Sequence, residues 1–166
     1  MGKVMAAYTN GFAGEVTRSA DNVIVSLKNT GTADIPFGAP VFLSSDKTGV
    51  VGFNTGTPQT FAAFVGFAVR VADKTPETYP SGQFGANPQG VWKGGQVIEV
   101  LTRGCIALPL AAEGGMKDPV YIRKSDGKLT TYAGESGTTV LLENVRIRRP
   151  RDGSGCCEAL VTERLL

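Results

Sequence analysis

The sequence contains no histidine. That absence removes Ser-His-Asp and Cys-His catalysis, most catalytic zinc sites and the usual pH switch near neutrality. Cysteine is scarce. Cys105, Cys156 and Cys157 are too few for a zinc cluster or a disulfide framework, and independence from disulfides suits a reducing compartment. Long apolar runs are missing. The longest, Phe61–Val69, includes Gly66 and falls well short of the ~20 residues that a membrane-spanning helix needs. The start MGKVMAAYTNG has one lysine and too short an apolar stretch for a signal peptide. Ala6 stands where a myristoylation signal needs Ser or Thr, and no asparagine opens an Asn-x-Ser/Thr sequon. Excess charge is also lacking: 17 Lys+Arg against 15 Asp+Glu leave +2, which argues against a dedicated nucleic-acid or polybasic membrane binder. Neither Gly2-Lys3 nor Gly127-Lys128 has the upstream glycine of a Walker A loop, and Gly153-Ser154-Gly155 lacks the Rossmann context. No catalytic residue, cofactor or metal is expected.

What is abundant is chain punctuation. The 166 residues include 22 glycines and 9 prolines, against about 20 of the two together at average usage. Short strands suit such a chain; long helices do not. Two-residue alternation predicts strands near Val23–Leu27, Pro40–Leu43, Phe61–Val71, Gln96–Arg103, Pro119–Arg123, Leu129–Tyr132, Val140–Leu142 and Val145–Arg148. FAAFVGFAVRV is almost wholly apolar, as in a strand covered on both faces. In QVIEVLTRGCIALPL, Ile98, Val100, Ile106 and Leu108 are expected on one face, with a bend at Gly104. Ser125-Asp126-Gly127 reads as a hairpin turn and Arg151–Gly155 as a polar turn. Cys156–Leu166 fits either a helical stripe or a strand. The expectation is one all-β domain over residues 15–166, a compact and mainly antiparallel barrel or sandwich. A Gly/Pro-rich loop at 73–95 and an extended N-terminal arm at 1–14 complete it.

Few residues suggest chemistry. Glu99, mid-strand between apolar neighbours, is where a glycosidase-type carboxylate pair would be sought, but an acid that faces solvent or pairs with Arg103 is the plainer reading. Cys156 and Cys157 would point to opposite faces of a strand, where a mutual disulfide is strained and packing as small hydrophobes is favoured. Arg146, Arg148, Arg149 and Arg151 form the densest charge feature, with Arg146 and Arg148 on one strand face opposite Val145 and Ile147. They suit a partner's carboxylates through the guanidinium fork, or else form a solvated face. Tyr79, Phe84 and Trp92 in the Gly/Pro loop are candidate interface anchors or barrel-end plugs, and Tyr8 and Phe12 are the aromatics of the arm.

Four segments in order, DIPFGAPVFL, FVGFAVRV, GQVIEVLTRGCIALPL and DPVYIRKSDGKLTT, resemble the structural cement proteins that decorate tailed-phage capsids. The resemblance rests on Gly38-Ala39-Pro40-Val41, Phe64–Val69, Leu101-Thr102-Arg103-Gly104, Asp118–Tyr121 and Asp126-Gly127-Lys128, and spans about Asp34 to Thr131. The long 73–95 segment and the Arg146–Arg151 cluster are departures from it. It implies a non-enzymatic protein on the outer surface of a phage head, made in the host bacterial cytoplasm. Its partner would be the major capsid protein, whose subunits it would bridge. A homotrimer suits local three-fold axes and a dimer two-fold axes, with no specific nucleic acid and no membrane involved. The rivals are another virion β-module, such as a tail or receptor-binding protein, and a small carbohydrate-active barrel.

Overall fold

The structure, a computed structural model, describes residues 9–18, 21–54, 60–71 and 90–162. Its strands are β1 (Val23–Lys28), β2 (Ile35–Pro36), β3 (Pro40–Leu43), β4 (Val50–Gly52), β5 (Phe64–Ala68), β6 (Val91–Trp92), β7 (Val97–Pro109), β8 (Pro119–Arg123), β9 (Leu129–Thr130), β10 (Thr139–Arg149) and β11 (Cys156–Val161). Among the described residues, a single 3-10 turn, at Phe61–Ala63, precedes β5 and no α-helix occurs. Nine strands form one curled antiparallel half-barrel in the order β4-β3-β5-β7-β11-β10-β8-β9, with β1 also paired to β7. β2 and β6 form a separate ribbon.

β7 joins the two halves, and its bend divides the core. Val23 pairs with Arg103 but Ile24 pairs with Leu101, so Thr102 is an extra residue. One inserted residue reverses the in-out phase of the rest of the strand. Gly104 then takes φ 126°, a backbone conformation that favours glycine. Ile98 and Val100 therefore pack in a smaller cluster with Ile35, Val41, Val65 and Trp92. Ile106 and Leu108 pack with Leu101, Phe64, Phe67 and Leu142 in the larger one. The four residues expected on one face are thus on two, because the bulge intervenes.

β5 is buried at every position, as its apolar run predicts, although Phe61–Ala63 stays outside the strand. The two predicted strands Val140–Leu142 and Val145–Arg148 join into β10. The ambiguous Cys156–Leu166 segment is strand over its first six residues. Gly127 takes φ 71° in the predicted hairpin turn, and its N–H donates to the Arg123 carbonyl at 2.7 Å. Val91–Trp92, inside the expected 73–95 loop, is strand β6 against β2.

Residues 1–8 of the expected arm lie outside the described residues; from Asn10 onward the segment is tied to its own domain. Asn10 is buried, its N–H donating to Asp152 Oδ2 at 2.6 Å and its Nδ2 to the Pro150 and Cys156 carbonyls at 2.8 Å. Gly14 N–H donates to the Ala107 carbonyl at 2.8 Å and Thr17 N–H to that of Cys105 at 3.1 Å, so the segment runs beside β7. This strap carries Arg18 to Glu158 of β11.

Candidate functional site

β11 carries Cys157, Ala159 and Val161 into the larger core. Alternation puts Cys156, Glu158 and Leu160 on the opposite face. Glu158 is nonetheless buried, its side chain only 3% exposed. A buried carboxylate is costly unless it is paired. Three arginines surround it: Arg18 Nε lies 3.2 Å from Oε1, Arg148 Nε 3.7 Å from Oε1, and Arg149 Nε 3.9 Å from Oε2. Arg18 donates a hydrogen bond there; the two longer contacts are charge pairs.

A second bulge explains how one strand supplies two adjacent arginines. Ile147 pairs with Ala159 and Arg149 with Glu158, which leaves Arg148 as the extra residue of β10. Strict alternation would put Arg149 on the face of Ile147; the bulge instead brings Arg148 and Arg149 to the same carboxylate. Arg148 Nη1 also donates to Cys105 Sγ at 3.6 Å. Arg146 lies opposite exposed Leu160, with its Nη1 on its neighbour's carbonyl at 2.9 Å. Arg103 pairs with Asp21. A groove of about 510 Å³ runs between Arg18, Asp21, Arg103, Arg148, Leu160 and Thr162. Among the described residues, the face thus gathers five arginines, at 18, 103, 146, 148 and 149, around two carboxylates. It is a positively charged surface fixed by a buried acid.

The predicted residues divide between this face and other places. Arg146, Arg148 and Arg149 belong to it. Arg151 does not: its Nε donates to the Leu110 carbonyl at 3.0 Å and its Nη1 reaches Glu113 at 3.4 Å, bracing another loop. Trp92 is buried at 4% exposure, edge-on to Phe37, with Nε1 donating to the Val69 carbonyl at 3.0 Å. Phe12 is 58% exposed beneath the Arg70 guanidinium, 4.8 Å away. Tyr8, Tyr79 and Phe84 lie outside the described residues. Glu99 accepts from Ser26 Oγ at 2.8 Å, while the partner expected for it, Arg103, pairs with Asp21. Cys156 and Cys157 are free and buried; burial pushes the Cys157 thiol up to about 12 and raises that of Cys156.

Arg18 and Glu158 were not singled out by sequence reasoning. Arg18 stands alone in a weakly patterned segment and leaves no signal. Glu158 leaves one: it is the only charge in CCEALV, a strand otherwise apolar.

The sequence matches the family described as structural cement protein (E217 gp24/Pam3 gp6) over residues 2–161. The chain belongs to this phage cement protein family. A solved chain from the capsid of Myoviridae Phage XM1 superposes on it with a TM-score of 0.70 at 18% identity, covering 98% of this chain and 97% of that one. At that identity the likeness carries the fold alone. No curated protein matches the sequence. The family assigns the chain a capsid cement or decoration role.

Proposed function

We propose that this cement protein sits on the outer surface of the phage head and bridges neighbouring major capsid protein subunits without catalysing a reaction. The observation that carries the reading is the arginine face organised on Glu158. A guanidinium held in place loses less freedom on binding than a free one, and its fork matches a carboxylate in shape as well as charge. One modest contact repeated at each lattice position adds up over the shell. A homotrimer at local three-fold axes is the assembly proposed, since a closed ring shares the symmetry of such a site.

Electron microscopy of purified virions with and without the gene tests this reading. Deletion is expected to remove density from the outer capsid surface between shell subunits. Identical outer surfaces in the two preparations would overturn it.

A further inference from the structure

We propose that Arg18 and Arg148, anchored from below by Glu158, form a receptor for one acidic side chain of the shell protein. The inference rests on the cement reading and names the chemistry of its contact.

Both arginines approach the same oxygen, Glu158 Oε1, and both do so through Nε, at 3.2 and 3.7 Å. That leaves the outer edges of their guanidinium groups. Neither Nη of Arg18, nor Nη2 of Arg148, has a partner among the described residues. Their side chains are 43% and 45% exposed beside the groove. Unused N–H donors on two arginines whose inner edges are fixed make a two-pronged site, suited to an acceptor with two oxygens. The five arginines and two carboxylates of the face leave it net positive, so it draws an anion, and Arg18 and Arg148 are the arginines of the Glu158 cluster that line the groove. The anion that a protein shell presents there is an exposed Asp or Glu side chain, whose two oxygens match the two prongs. Leu160 in the groove wall offers apolar contact to the methylenes of such a side chain.

The two anchors come from distant parts of the chain. Arg18 arrives on the N-terminal strap and Arg148 at the β10 bulge. Glu158 joins them, so it is a positioning residue: the ligand meets the arginines, and Glu158 sets where they stand.

The test is a binding titration of the full-length protein on capsids that lack it. It compares wild type, Arg18→Ala and Arg18→Lys, each with a melting curve, and repeats wild type with sodium acetate against sodium chloride at equal ionic strength. Loss of a charge-assisted contact predicts affinity about 10- to 100-fold weaker for Arg18→Ala. Arg18→Lys keeps the charge over Glu158 but lacks the fork, and is expected to fall between. Acetate is expected to compete more strongly than chloride. If wild type binds and both variants bind equally well, the receptor is refuted while the cement reading stands. If wild type does not bind, the cement reading itself fails. Retention of a short DNA duplex at physiological salt, lost in both variants, would replace the carboxylate with a phosphate backbone and overturn the proposal.

Discussion

Gly66 sits in the middle of β5, opposite Val41 of β3 and against β7. A Cβ added there would collide with the Leu101 carbonyl oxygen, and would also lie 2.9 Å from the Leu101 carbonyl carbon and 3.0 Å from Val100 Cγ1. Two of those three atoms are backbone, so no rotamer change relieves the clash; β5 must move away from β7. The movement would disturb both cores at once, because Phe64 and Phe67 pack in one while Val65 and Ala68 pack in the other. Overpacking of this kind costs about 1–3 kcal/mol, and a clash against backbone belongs at the upper end. For a domain of this size each kcal/mol moves the melting temperature by about 2–4 °C. Gly66→Ala is therefore expected to melt roughly 6–12 °C below wild type, taking ~3 kcal/mol with that conversion. Gly153→Ala is the control: nothing lies within 4 Å of its added Cβ, and such surface changes stay within about ±0.5 kcal/mol. Calorimetry or circular dichroism of the three proteins at one concentration decides the matter. Coincident melting curves for the two variants would refute the close β5–β7 packing and the divided core built on it.

The arginine face predicts separate effects on folding and binding. Arg146→Ala is expected to leave stability within about ±0.5 kcal/mol, whereas Arg148→Ala is expected to cost about 1 kcal/mol through its contact with buried Glu158; the pair together should weaken capsid binding in a salt-dependent titration, and unchanged affinity would make the cluster a solvated face. Asp152 gives the acid limb. Burial opposes its ionisation, but the N–H groups of Asn10, Cys156 and Ser154 and the Ser154 hydroxyl hold its carboxyl below the usual 3.8. A depressed folded value gives stability that is present above the unfolded value and lost as pH falls through the folded one. Melting temperature should therefore drop below about pH 4, and Asp152→Asn should remove that increment, at a cost of about 1–3 kcal/mol at neutral pH. Buried Cys105, Cys156 and Cys157 should resist iodoacetamide in the native protein and react on unfolding; fast native labelling of Cys157 would contradict the packing of β11.

Much of the fold was legible because strand physics is local. The alternation of Val145 and Ile147 with arginines, the apolar run of β5 and the glycine in the Asp126-Gly127 turn each carry their own signal. The bulges were not legible. Thr102 and Arg148 look like ordinary strand residues, yet each shifts the phase of the strand beyond it. That shift moved Ile98 and Val100 into a different core from Ile106 and Leu108, and it brought Arg149 round beside Arg148. Short pairings such as β2–β6 were missed for a related reason: two-residue strands have no period to detect, and Trp92 is held by contacts distant in sequence, its ring edge-on to Phe37 and its Nε1 donating to the Val69 carbonyl. The arginine cluster was visible as composition, but Glu158 and Arg18 are 140 residues apart, and only folding brings them together.

The cement role proposed for this protein is stabilisation of the assembled shell. Expanded capsids lacking it should be heated with increasing amounts of purified protein, and disassembly followed by light scattering. Selective binding to the assembled shell predicts a disassembly temperature that rises with concentration until the sites are filled. Capsids that come apart at one temperature whether or not the protein is bound would contradict the account.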